Sequence, residues 1–244
     1  LEKKLKKKNK AIYLLFLMPF VYFATACFVV WLVKTSGIYP SGSDTMYHVY
    51  RGDYVYNAIK SGNWYPLYDP AWYNGVEILR YWSPFPAYVM AFCQYLAGGS
   101  QFGAYLFYIG GVCFLGACVW PFIGRGFNRP YLGAFIGLLW FFMPNNLCAI
   151  FIEGNLARSL SMIFLPVFIY SVYKYLYNHK LRYIPLMVFT FLLMELCHLG
   201  YAGMVAIAVI IYGIVYIIQK GRKKAVLDVV ISMIFGFMLL GIWL

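Results

Sequence analysis

Charge is scarce in this sequence, and negative charge is scarcest: eight Asp and Glu face twenty Lys and Arg in 244 residues. Charged residues make up 11% of the chain, less than half the roughly 25% of ordinary globular domains, while 63% of it is hydrophobic. A soluble domain of this size could not hide so much apolar surface, so lipid must be its solvent. Cysteine pairs are missing too. The six cysteines form no CxxC, sit in apolar segments and avoid the long polar stretch 34–83, which argues against a disulfide framework or zinc site. No small-residue cleavage site follows the first apolar run, Ala11–Val33, which is also longer than a signal-peptide core, so it reads as a retained span. Nor is there a soluble module in which basic and aromatic residues interleave, so the net charge of +12 does not indicate nucleic acid. Six cations fall in Leu1–Lys10 and most others flank apolar segments, the pattern of orientation charges.

What is present is a series of apolar runs near the ~20 residues a membrane-crossing helix needs. They read as Ala11–Val33, Pro84–Ala97, Phe102–Ile123, Tyr131–Ile150, Ser159–Tyr177, Tyr183–Cys197, Tyr201–Ile218 and Ala225–Leu244. Pro84–Ala97 is short for a span and ends in Gly98-Gly99-Ser100. If it does not cross, 15 basic residues fall inside and 5 outside; if it crosses, the tally becomes 7 and 13. The positive-inside rule selects the first arrangement. The expected fold is therefore an all-α polytopic bundle of about seven spans. A basic cytoplasmic tail (1–10) precedes the first span (11–33), an outer loop with juxtamembrane helices (34–101), and the remaining transmembrane module (102–244). Pro84–Ala97 is expected as a surface-lying or re-entrant helix. The chain stops inside an apolar segment, which points to a longer protein.

This arrangement turns three polar segments to one outer side: Lys34–Ser83, Phe151–Arg158 and the turn at His198-Leu199-Gly200. Ser43 or Asp44 is a helix N-cap candidate. A helix from about Asp44 to Lys60 places Asp44, His48 and Arg51 on one face at i, i+4 and i+7. It reads as an interfacial amphipathic helix presenting a carboxylate, an imidazole and a guanidinium; the plainer alternative is a solvated surface helix. Asp44 could act as a general base or as a ligand for a divalent ion such as Mg or Mn, and Arg51 could pair with a phosphate. Fourteen aromatics lie between Tyr39 and Tyr88. Trp64 and Trp82 among them suit either an interfacial belt or stacking on sugar rings.

In the second outer segment Glu153 is the only acid, with Arg158 five residues on. A local ion pair is one reading; the other joins Glu153 to Asp44 as a second carboxylate while Arg158 contacts phosphate. Glu195 and His198 close the sixth apolar run at i, i+3 spacing and are expected to point into the bundle, either as a buried hydrogen-bonded pair or as part of one external cavity with Asp44 and Glu153.

Asp44-Thr45-Met46-Tyr47-His48 after a first span, a helix ending in Gly62-Asn63-Trp64-Tyr65-Pro66, and Trp82-Ser83-Pro84-Phe85-Pro86 before a juxtamembrane helix resemble the GT-C glycosyltransferase superfamily. The likeness is nearest to bacterial membrane proteins of the 6-pyruvoyl-tetrahydropterin synthase-related or YfhO-like kind. It implies a plasma-membrane enzyme that transfers sugar, with inversion, from a polyprenyl-phosphate-linked donor, and makes Asp44 the essential acid. Two departures stand out. In those relatives the second outer loop carries Arg-Gly…Glu before Leu-Pro, whereas here Glu153-Gly154-Asn155-Leu156-Ala157-Arg158 precedes Leu165-Pro166. The oligosaccharyltransferase branch has Asp-x-Asp in that loop, and its absence here leaves metal dependence open. Membrane lipids and a lipid-linked donor are the expected partners. The alternatives are a non-catalytic GT-C-like subunit that holds a lipid-linked intermediate, and a transporter or flippase; the broken mid-membrane helices and internal repeat of many transporters are not evident.

Overall fold

A computed structural model describes residues 2–243, with side chains described for 16–241 and 243. The side chains of the basic segment 1–10 and of the start of the first span lie outside the described residues. All regular structure among the described residues is helical, apart from an isolated antiparallel bridge between Asp69 and Val76. The chain forms two compact units, Leu1–Asn57 with Ala87–Ser159, and Ala58–Pro86 with Leu160–Leu244.

The first unit contains α1 (Glu2–Ser36), most of α2 (Thr45–Lys60) and α3 (Phe85–Leu96), α4 (Gln101–Gly126), α5 (Pro130–Leu139), the single turn α6 (Pro144–Leu147) and the start of α7 (Leu156–Asn178). The Ser100 hydroxyl caps α4 by accepting from the Gly103 amide. Pro130 opens α5, where its missing N–H costs nothing. α1, α4 and α5 pack together. The buried Tyr22 hydroxyl of α1 donates to the Ala134 carbonyl of α5 at 2.8 Å. Small residues set the α4–α5 spacing: a Cβ on Gly133 would lie 2.4 Å from the Trp120 carbonyl and 2.8 Å from Gly124 Cα. Backbones this close are the usual way membrane helices gain contact where lipid offers no hydrophobic drive. Gly133→Leu should therefore force the pair apart and destabilise the unit by about 1–3 kcal/mol, read as a lower unfolding temperature of the purified protein in detergent. An unchanged temperature would refute this account of the packing.

The expected span Tyr131–Ile150 is not one straight helix. α5 gives way to a 3-10 turn (Trp140–Phe142), α6 and a π-turn (Cys148–Ile152). Pro144 is the cause, since it has no N–H to give the carbonyl four residues back, which is that of Trp140. The Asn146 side-chain amide donates to that carbonyl at 2.9 Å and is itself buried.

The second unit is built from α7, α8 (Tyr183–Cys197), α9 (Leu199–Lys220) and α10 (Lys223–Leu239). Its core gathers Phe168, Met187, Met194, Ala202 and Val229 from all four. Gly221 ends α9 in the left-handed region at φ +68, and its amide bonds the Ile217 carbonyl at 2.7 Å. Part of the long polar loop belongs here: Ser83 Oγ donates to the Glu195 carbonyl at 2.8 Å, and the Trp243 indole donates to the Leu79 carbonyl.

Among the described residues, five helices are long and apolar enough to cross a membrane: Phe16–Ser36, Gln101–Gly126, Pro130–Ile152, Leu156–Asn178 and Leu199–Lys220. In the first only 22% of the most apolar window is buried inside the protein, and in the last 28%, so their apolar side chains face outward, as a lipid solvent requires. α8 is apolar but has 15 residues, and α10 has 17. α3 has 12, about 18 Å of helix against a hydrocarbon core of about 30 Å. That is too short for a full crossing by a straight helix.

Candidate functional site

Asp44 stands at the residue before α2, and its carbonyl accepts the first helical bond, from the His48 amide at 3.1 Å. What positions it is the α5–α7 connection, 109 residues further on in sequence. The Asp44 amide donates to the Glu153 carbonyl at 3.0 Å, and Ser43 Oγ lies 3.1 Å from both that carbonyl and Asp44 Oδ1. The two loops meet glycine to glycine. Gly154 has φ +67, and a Cβ there would stand 2.1 Å from Thr45 Oγ1; a Cβ on Gly42 would stand 2.5 Å from the Gly154 backbone. Asp44 and the second loop thus meet through main chain.

The Glu153 carboxylate turns to Arg158. The pair is bidentate, with Nη1 to Oε2 at 2.6 Å and Nη2 to Oε1 at 3.1 Å, the strong fork geometry of guanidinium and carboxylate. Cys148 Sγ adds a contact to Oε1 at 3.4 Å. Asn155 caps the start of α7 through Oδ1, which accepts from the Arg158 amide at 2.9 Å, and the buried Tyr108 hydroxyl ties the Leu156 carbonyl to α4. Arg158 Nε is buried and has no hydrogen-bond partner among the described residues. The local ion pair is therefore real, and it leaves the Arg158 Nε–H unengaged.

His48 and Arg51 share the Asp44 face of α2, as the spacing requires, but they do not stand on the surface. Exposure is 6% for His48 and 1% for Arg51. The expected interfacial helix that presents all three groups is corrected on this point, and so is the solvated alternative. The cause is contact with α3: Gly52 of α2 approaches Met90 so closely that a Cβ would meet its side chain at 2.2 Å. That contact turns the His48–Arg51 face inward. The Arg51 guanidinium lies over the Tyr47 ring, 5.4 Å from its centroid. Burial pushes its pKa down from the ordinary guanidinium value, and Tyr47 opposes the shift. On the flank, Gln94 donates to Asp53 Oδ1 at 2.6 Å, and burial with Asp53 nearby raises the Tyr39 pKa.

These residues do not make a metal site. Among the described residues no three His, Cys, Asp or Glu side chains gather to hold an ion, and both Glu153 oxygens face Arg158. A divalent ion shared by Asp44 and Glu153 does not fit this arrangement.

The remaining sequence candidates belong to the second unit. Trp64 and Trp82 expose broad ring faces, at 72% and 55%. His198 holds a helix end together. Its Nδ1 accepts from the Tyr201 amide at 3.0 Å and caps α9, a role usually taken by Ser, Thr, Asp or Asn. Glu195 is buried at 2% exposure, and its Oε2 has no hydrogen-bond partner among the described residues. Sequence reasoning passed over Gly42, Gly154, Asn155 and Cys148. Only Asn155, directly before a helical run, carried a recognisable signal.

No curated protein and no solved structure matches the chain. A family model does: residues 79–244, more than half of the chain, match the 6-pyruvoyl-tetrahydropterin synthase related domain, a membrane-protein family. With helices suited to crossing a bilayer and an apolar exterior, the chain belongs to the 6-pyruvoyl-tetrahydropterin synthase related family of membrane proteins.

Proposed function

We propose that this protein is a GT-C-type membrane glycosyltransferase that takes sugar from a polyprenyl-phosphate-linked donor on the outer face of the bacterial plasma membrane. The observation that carries the reading is the docking of Asp44 on the Glu153 main chain, which holds a partly exposed carboxylate at a helix start. Asp44 removes the proton from an acceptor hydroxyl as that oxygen attacks the anomeric carbon. The bond from that carbon to the phosphate oxygen breaks, and the polyprenyl phosphate leaves with the electron pair. One displacement of this kind inverts the anomeric centre. The guanidinium groups of Arg158 and the buried Arg51 supply positive charge for the departing phosphate. Sugar transfer from a polyprenyl-phosphate donor by wild type and Asp44→Asn, with donor binding followed in parallel, tests the assignment; equal turnover in the two would end it. The closed Glu153–Arg158 pair favours a second reading, a non-catalytic subunit that holds the lipid-linked intermediate. Donor binding without turnover in the wild type would select it.

The proposal includes seven crossings with a cytoplasmic N-terminus. α8 and α10, both short, would cross where the bilayer thins. Single cysteines placed by Asp44→Cys and Glu153→Cys should label from outside in a cysteine-free background, and those placed by Arg125→Cys, Lys180→Cys and Lys223→Cys only after the membrane is opened. External labelling at position 180 or 223 would overturn this topology.

A further inference from the structure

At one end of the second unit the α7–α8 and α9–α10 connections come together around an open cavity of about 740 Å3. His179 enters it from the first connection, Arg222 from the second, and Lys223 and Lys224 from the first turn of α10. All four are exposed, and the Arg222 guanidinium touches His179 Nε2. The cavity has one acid, Asp228, and its Oδ2 already accepts from the Tyr175 hydroxyl at 2.6 Å. Even with His179 neutral, three fixed cations outnumber one carboxylate. No side chain caps the first turn of α10 here, so amide dipoles add to the positive field. One wall is apolar, formed by Leu181 and Ile184. The space exceeds what an inorganic ion fills and lies within the range of small-molecule pockets.

We propose that this cavity binds a phosphate-bearing anion, with the phosphate against Arg222, Lys223 and Lys224 and the rest of the ligand along Leu181 and Ile184. An anionic phospholipid headgroup and a soluble phosphate share that chemistry; the apolar wall favours the lipid. The assignment is independent of the glycosyltransferase reading.

The test uses the full chain in phosphatidylcholine nanodiscs with and without phosphatidylglycerol, counting retained phosphatidylglycerol by mass spectrometry, and uses inorganic phosphate as the soluble probe. Wild type should enrich phosphatidylglycerol over the bulk lipid. Arg222→Gln with Lys223→Gln should bind it about tenfold or more weakly, given about 1 kcal/mol per basic residue at an anionic surface. Asp228→Asn should bind it more tightly, a gain that damaged folding does not produce. Phosphatidylglycerol retained without any response to phosphate assigns the site to lipid. Phosphate that stabilises the protein in pure phosphatidylcholine and displaces phosphatidylglycerol assigns it to a soluble ligand. Binding of neither probe, or an equal loss in an Arg80→Gln control, would overturn the proposal.

Discussion

Asp44→Asn should lower sugar transfer about 10²–10⁴-fold, equivalent to about 3–5 kcal/mol of transition-state stabilisation, with folding and donor binding nearly unchanged. In the proposed mechanism the substitution removes the proton acceptor and little else. The Asp44 amide still reaches the Glu153 carbonyl, and the Ser43 hydroxyl can donate to the new amide oxygen as it does to Oδ1. Arg158→Lys should act differently. It replaces a bidentate fork with a point charge, loosens the pair with Glu153 and raises the donor's dissociation constant more than it slows turnover. If Asp44→Asn also abolished donor binding, Asp44 would be holding the loop in place, and the proton-transfer role would fall.

Gly154→Ala should destabilise the first unit by about 2–6 kcal/mol, the largest stability loss expected of any single methyl in that unit. Two costs add. A left-handed backbone at a residue with a side chain costs about 1–3 kcal/mol, and a Cβ placed 2.1 Å from Thr45 Oγ1 and 2.7 Å from the Thr45 amide overpacks a closed contact, costing about another 1–3 kcal/mol. Gly37→Ala separates the two. Gly37 has φ +69 with nothing within 4 Å of the added carbon, so it should show the backbone cost alone. Unfolding temperatures of the three proteins in one detergent measure both. Equal losses at the two positions would mean that the loops are not interlocked at Gly154.

Much of this was legible because periodicity and capping are local. The helix expected from about Asp44 to Lys60 is observed at Thr45–Lys60, and His48 and Arg51 share a face of it as spacing required. Which way that face turns was not legible. A carboxylate, an imidazole and a guanidinium read as solvent-facing, and only the close fit of Gly52 against Met90, 38 positions apart, turns two of them inward. Glu153 illustrates the same limit. Its neighbour Arg158 is visible in the sequence, so a local pair can be named, but the choice between that pair and a two-carboxylate site depends on loop docking through Gly42 and Gly154. Glycines in an apolar chain are too common to mark such a contact. His198 stands out in the sequence as polar in an apolar setting, which points it to the bundle interior; that its ring caps a helix depends on backbone angles, which composition does not record.

The Asn146 amide bears on how such chains are redesigned. Ranked by hydropathy, Asn146 is a blemish in an otherwise apolar stretch, and leucine would be the obvious improvement. Leucine would leave the Trp140 carbonyl, already deprived of its amide by Pro144, with no donor in a non-aqueous interior, where an orphaned polar group costs about 1–3 kcal/mol. Hydrophobicity and stability run in opposite directions at this position, and a library filtered for membrane-likeness would discard the residue that mends the helix break.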